Sequence, residues 1–256
     1  MEDQALRDRF EAVCARMRDA ARRSGRAEAE VRLVAVSKTH AADAVADLAR
    51  HWAGRGTRPA FGENYAREGA AKRAQVARLV PGLDLEWHFI GHIQTNKAGE
   101  TAGRYNLIHS LDSLRLARAL QRALVAEGLA AGGLAAGGPP QAVLIQVNTG
   151  REPQKSGVLP EELEPFLLAL AEVRELEIQG LMCLPPNPEQ AESSRPHFRR
   201  LRELRESMRS RSGLALPHLS MGMSHDFEAA VEEGATLIRV GTEIFGSRNG
   251  HPSSDK

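Results

Sequence analysis

The chain has 256 residues, with 34 Lys+Arg against 33 Asp+Glu and a formal net charge of +1. That balance argues against a protein that binds nucleic acid through bulk charge. No apolar run approaches the ~20 residues of a membrane-spanning helix, and the opening MEDQALRDRF mixes both charge signs without the apolar core of a secretion signal.

The first predicted element is a helix over residues 2–24, where Ala5, Phe10, Val13, Cys14 and Met17 recur at roughly helical spacing. Ser24-Gly25 ends it. Eight short apolar runs follow: LVAV (33–36), AFG (60–62), WHFIG (87–91), NLIHS (106–110), AVLIQV (142–147), IQGLM (178–182), PHLSM (217–221) and TLIRV (236–240). Between most of them lie helical patterns, at 41–50, 64–79, 112–127, 160–174, 195–211 and 226–232, while the gap 92–105 has room only for a brief helix. The duplicated string GLAAGGLAAGGPP (128–140) is expected to be a flexible surface loop, and the polar tail from about 249 to 256 adds no further element. Cys14 and Cys183 sit in apolar-periodic segments, as reduced core thiols of a cytoplasmic protein would.

Strands alternating with helices fit a doubly wound sheet or a (β/α)8 barrel. The count of eight and the length favour the barrel, for which about 250 residues is typical. A dinucleotide-binding sheet would want a glycine-rich turn after the first strand, where this chain has Ser37-Lys38-Thr39. The expectation is an α/β protein: one (β/α)8 TIM-barrel domain over residues 1–256, with an extra N-terminal helix covering an end or side.

The active site of such a barrel lies at the carboxyl ends of its strands. There the sequence places Lys38, Glu63-Asn64, His92 to Lys97, Ser110 and Asp112, Asn148 to Gly157, Cys183 to Pro186, Met221 to Ser224, and Arg239 with Gly241-Thr242. The loops after strands seven and eight, MGMSHDFEAA and RVGTEIFG, carry glycines and hydroxyls suited to a phosphate, although glycines also simply make turns. A lysine at a strand end is most commonly solvated. Desolvated at a barrel mouth, Lys38 would instead be a neutral nucleophile toward an aldehyde. A phosphate cradle facing a lysine amine matches pyridoxal 5′-phosphate (PLP).

The segments LVAVSKTH, FGENYAREGAAK, WHFIGHIQTNKAG, IHSLDS, VLIQVNTGREPQKSGV, IQGLMCLPP and LSMGMSHDFEAAVEEGATLIRVGTEIFG resemble the pyridoxal phosphate homeostasis family, in order, from about residue 31 to 248. That family is similar to the barrel domain of alanine racemases. The resemblance implies that Lys38 carries PLP as a Schiff base and that Ser220 or Ser224, Gly241 and Thr242 lie at the phosphate. It implies that Asn64 and Met221 line the ring, and that Arg239 faces either the pyridine nitrogen or the phosphate. A guanidinium beside that nitrogen disfavours its protonation and makes the ring a weaker electron sink. His92, His225 and the GLAAG insert depart from the usual pattern, and none of them replaces the lysine or a glycine of the two loops.

In alanine racemases a second base, a tyrosine, comes from a separate C-terminal domain. Here the last strand and its loop end near residue 245 and only SRNGHPSSDK is expected beyond them, and the chain's two tyrosines are Tyr65 and Tyr105. The expected role is therefore to hold PLP and buffer or deliver it to PLP-dependent apo-enzymes, with a racemase-like enzyme as the alternative. No catalytic or metal-ligating residue is assigned, and no nucleic-acid or membrane partner; a monomer is expected.

Four other readings carry less. His88 and His92 share a metal-like spacing, but on a strand four residues span about 13 Å, and His88 is expected to be a barrel-end polar residue. Cys183 has no activating partner in sequence. RRLRELRESMRSRS (199–212) is expected to be an outer helix with Leu201, Leu204 and Met208 buried. Lys97 and Lys155 are either surface lysines or attract the anionic cofactor.

Overall fold

The computed structural model describes residues 3–128, 140–186 and 191–246. Most of the GLAAG insert and the whole polar tail lie outside the described residues. Eight parallel strands close into a barrel in sequence order: β1 (Arg32–Val36), β2 (Ala60–Glu63), β3 (Glu86–Phe89), β4 (Leu107–Leu111), β5 (Gln141–Gln146), β6 (Leu176–Met182), β7 (His218–Ser220) and β8 (Leu237–Val240). Closure runs through β1 and β8, where Val34 pairs with Arg239 and Ala35 with Val240. Among the described residues α1 (Gln4–Arg23) precedes the strands, six helices join them, α2 (Ala42–Ala53), α3 (Ala66–Leu79), α4 (Leu114–Ala126), α5 (Leu163–Leu170), α6 (Arg195–Ser212) and α7 (Phe227–Glu232), and α8 (Thr242–Phe245) follows the last. The short gap between β3 and β4 holds a 3-10 turn over Thr95–Glu100.

The extra helix α1 covers a side of the barrel. Asp3 caps it by accepting from the Leu6 N–H at 3.1 Å. Leu6, Phe10, Val13, Cys14, Met17, Ala20 and Ala21 form its buried stripe, which packs on α2, α7 and α8. Gly25 takes φ +69° just beyond the C-cap, a conformation glycine adopts without strain. On α6, Phe198, Leu201, Leu204 and Met208 are buried, while Arg195, Arg199 and Arg202 pair with Glu233. That charge run is a helix surface tied to its neighbour. Among the described residues no helix is long and apolar enough to cross a membrane.

Two apolar clusters follow from strand alternation. The larger lies between strands and helices. The smaller lies in the barrel interior and consists of Val34, Leu107, Leu144, Met182 and Leu237. Five such residues cannot fill a barrel, and polar side chains complete the interior.

Candidate functional site

Alternation along β1 puts Leu33, Ala35 and Ser37 on the helix side and Val34 and Val36 on the inside; continuing it brings Lys38, which is half-buried, to the inner side at the strand's carboxyl end. Thr39 follows at φ +64°, a turn that a β-branched residue resists. The turn is held from outside the barrel. Lys72 on α3 donates to the Ser37 carbonyl at 2.5 Å and pairs with Glu63 at 2.8 Å and Glu68 at 2.9 Å. The Ser37 hydroxyl donates to Glu63 at 2.6 Å, and Glu68 accepts from the Thr39 N–H at 2.6 Å. Burial pushes the Glu63 carboxyl above its ordinary pKa, against the hydrogen bonds from Lys72 and Ser37, and its Oε2 has no hydrogen-bond partner.

Inside the barrel, Arg239 on β8 is 4% exposed. It donates to the Ser220 hydroxyl and, at 3.0 Å, to the Cys183 carbonyl. Among the described residues no carboxylate pairs with it, so a buried cation rests on neutral acceptors. That arrangement suits a site completed by an acceptor from a ligand. Ser220 also bonds His109 Nδ1 at 2.8 Å, and His109 Nε2 meets His88 Nδ1 at 2.9 Å. His88, expected at the barrel end, instead lies fully buried in the interior, because its inward parity on β3 aims it at β4. Burial drives both imidazoles below their ordinary pKa, His109 well below.

The loops after β7 and β8 come together beside these groups. Gly222 has φ +91°, and a Cβ there would lie 2.6 Å from Ala230 Cβ. Its carbonyl accepts from the Arg239 N–H at 3.0 Å. Asp226 fixes the loop, accepting from the Met223 N–H at 2.7 Å and from the Ser194 hydroxyl at 2.7 Å. Ser224 is buried, and so is Met221. Gly241 opens α8, and a Cβ there would stand 3.1 Å from the Val36 carbonyl and Cβ. Gly241 thus lies against the inner end of β1, two residues from Lys38; Thr242 beside it is exposed.

Asn64 lies at the end of β2, on the rim, in a cavity of about 500 Å3 shared with Tyr65, Arg67, Phe89, His92 and Lys97. Lys97 is exposed there. Lys155 ties two loops together instead, donating to the Pro185 carbonyl at 2.8 Å. His92 approaches Asp112 at 3.3 Å and Ser156 at 3.2 Å, away from the partners of His88. A larger cavity, about 620 Å3, opens at the opposite end beside Cys14, Trp52, Arg32, Arg55 and Arg58. Its arginines already pair with Glu86, Glu11 and Asp84, and the groups at the strand carboxyl ends do not reach it. Burial raises the Cys14 thiol to about 11 and the Cys183 thiol to about 12, so neither is a nucleophile near neutrality.

The structure thus gathers Ser220, Met221, Ser224, Arg239 and Gly241 around β7 and β8, with Lys38 next to Gly241 across the β1–β8 seam. Asn64 stands on the neighbouring β2 rim. Reasoning from sequence missed Lys72 and His109, and it placed Glu63 at the strand end without its partner on α3. The spacing of Glu68 and Lys72 does announce a pair on one helix face. Nothing local announces a bond between His109 and Ser220, 111 residues apart.

A family model described as alanine racemase, N-terminal domain, matches residues 9–249. The chain is similar to the pyridoxal phosphate homeostasis protein of Aquifex aeolicus, 41% identical over 241 residues, covering 94% of this chain and 97% of the relative. It is similar to the protein so named in Pseudomonas aeruginosa, 42% identical over 243 residues, covering 94% of this chain and 96% of that one. Among solved structures it resembles PipY of Synechococcus elongatus with PLP bound, at TM-score 0.71 and 35% identity, covering 90% of this chain and 99% of that chain.

Proposed function

Since the chain belongs to the family of pyridoxal phosphate homeostasis proteins, we propose that it holds PLP on Lys38 and buffers or delivers it within the cell. When bound, PLP supplies an aldehyde that an amine captures and a pyridine ring able to draw electrons. The observation that carries the reading is Arg239: a buried guanidinium that neutral acceptors leave without a counter-charge, on the strand that closes against Lys38's own. Such a cation accommodates an unprotonated ring nitrogen and repels a protonated one. Gly241, Ser224 and Thr242 provide room and donors for the phosphate. Asn64 flanks the ring and Ser220 acts by orienting Arg239, while Met221, expected at the ring, turns its side chain into the core between strands and helices. Lys72 and Glu68 hold the backbone that presents Lys38.

Holding rather than turnover is proposed because racemisation needs a second base facing Lys38. Neither tyrosine stands where a base opposite Lys38 is needed. Tyr105 is buried under α3, its hydroxyl beside Gly69 and its pKa pushed up to about 12 by burial. Tyr65 lies exposed on the rim. Recipient proteins would be PLP-dependent apo-enzymes, and the proposed working form is a monomer.

The test is direct. Purified protein given PLP should show a Schiff-base absorption band, and borohydride should fix the adduct on the peptide bearing Lys38. A Lys38→Ala chain that kept the same adduct would overturn the assignment. Incubating the loaded protein with a panel of L-amino acids separates holding from catalysis: saturable formation of D-enantiomers or keto acids would defeat the carrier reading.

A further inference from the structure

A line of buried polar groups crosses the barrel interior, from Glu86 at the amino end of β3 through His88, His109 and Ser220 to Arg239. His88 and His109 are 1% and 0% exposed, so water does not mediate between them. At one end Glu86 pairs with Arg32 and lies 3.8 Å from Arg58. Its Oε1 stands 3.9 Å from His88 Nε2, beyond hydrogen-bond length, and that buried nitrogen has no hydrogen-bond partner among the described residues, so the carboxylate acts on it through its charge. At the other end Arg239 can only donate. His218 on β7 is the remaining titratable group acting on the two histidines.

Arg239 leaves the Ser220 hydroxyl able to donate or accept, so the direction of the bonds is set from the carboxylate end. The Glu86 charge beside His88 Nε2 favours the proton on that nitrogen, leaving Nδ1 an acceptor. His109 must then donate from Nε2, so its Nδ1 accepts the Ser220 hydroxyl proton. The Ser220 oxygen, having given its hydrogen to His109, presents lone pairs to Arg239. Each donor thus faces an acceptor from one end of the barrel to the other.

The geometry points to a relay in which Glu86, at the amino end of the barrel strands, sets the tautomers of His88 and His109 and so orients Ser220 as the acceptor that positions Arg239. His88, His109 and Ser220 are positioning residues, and Glu86 is the group that selects their state. Loss of its charge lets the opposite tautomers form. The Ser220 hydroxyl then no longer has a fixed acceptor at His109, and Arg239 is held less firmly. The bearing on the cofactor rests on the reading of Arg239 given above; the tautomers themselves do not.

Histidine-labelled full-length protein without PLP tests the relay by long-range proton–nitrogen NMR. His88 and His109 should both be neutral and protonated on Nε2. An Nδ1–H form or an imidazolium at His109 overturns the relay, whatever PLP does. In Glu86→Gln the Nδ1–H form should become populated at His109, which Glu86 does not touch, and Glu86→Asp should restore the original form. An unchanged His109 spectrum in Glu86→Gln overturns control by Glu86. Where Glu86→Gln does not fold, the wild-type tautomers decide alone. PLP retention should fall about fivefold in Glu86→Gln, the low end of coupling between separated sites. Covalent capture at Lys38 in both variants keeps the cofactor reading separate from the relay.

Discussion

Lys72 bonds the main-chain carbonyl of Ser37 at 2.5 Å, one residue ahead of the lysine proposed to hold PLP, and pairs with the buried Glu63 at 2.8 Å. Its charge therefore serves two ends: it satisfies a carboxylate that nothing else neutralises, and it fixes the strand end that presents Lys38. Removing one partner of a buried pair leaves the other charge stranded, at a cost of about 3–5 kcal/mol. Lys72→Met should lower stability by that order in urea unfolding and loosen PLP retention. In a Glu63→Leu background the same change should cost much less, because no stranded carboxylate remains. Equal costs in the two backgrounds would show that the pair is not coupled.

The pH dependence of stability should fall in two stages on the acid side. Burial keeps His88 and His109 below the ordinary 6.5 of histidine. As pH drops through that value the unfolded chain takes up protons that the folded interior refuses, so stability declines. Burial works against ionisation of Glu86, but His88 and Arg32 beside it hold its carboxyl at about 2 rather than 4.5. Its contribution is therefore complete above 4.5 and lost as pH falls toward 2. Unfolding midpoints across the acid range should decline in both windows in the parent chain. Glu86→Gln should flatten only the lower window.

Replacing the buried guanidinium separates cofactor capture from cofactor retention. Arg239→Gln removes the cation while keeping an amide that can bond Ser220 or the Cys183 carbonyl. A hydrogen bond from a charged donor is worth about 1.5–3 kcal/mol, so PLP affinity should fall roughly tenfold to a hundredfold. Lys38 should still form the covalent adduct, with an absorption band displaced by the altered ring environment. Unchanged affinity and spectrum would place Arg239 outside the cofactor's reach.

Much of this architecture is legible in the sequence because burial leaves a periodic trace. The runs around Val34, Phe61, His88, Ile108, Ile145, Leu181, Leu219 and Ile238 each coincide with an observed strand. The four-residue helix α8 leaves no such trace, being barely one turn long. Partners across the fold are the illegible part. Periodicity places Glu63 on the helix side of β2 and Lys72 on α3, but only the closed barrel brings them within 2.8 Å. His88 reads as a polar residue within an apolar run, whereas its interior position depends on finding His109 one strand away. Ser220 follows the same logic. Its sequence context suggests a phosphate ligand, while its hydroxyl is engaged by His109 and Arg239.

Gly241 offers the sharpest probe of the proposed phosphate position. Its φ of −119° is open to any residue, so a substitution there need not strain the backbone. The constraint is space: a Cβ would stand 3.1 Å from the Val36 carbonyl and Cβ, so the β1–β8 seam must give slightly. Gly241→Ala should therefore destabilise the chain by about 1–3 kcal/mol, the usual cost of overpacking, and weaken PLP retention modestly. Gly241→Asp adds a carboxylate where the phosphate dianion is proposed to lie, and like charges in a partly buried site repel strongly. Its retention of PLP should drop well below that of Gly241→Ala, while its retention of pyridoxal, which lacks the phosphate, should match the alanine variant. Equilibrium dialysis of the three chains against PLP and pyridoxal reads the difference. Equal losses for both ligands would move the phosphate away from Gly241.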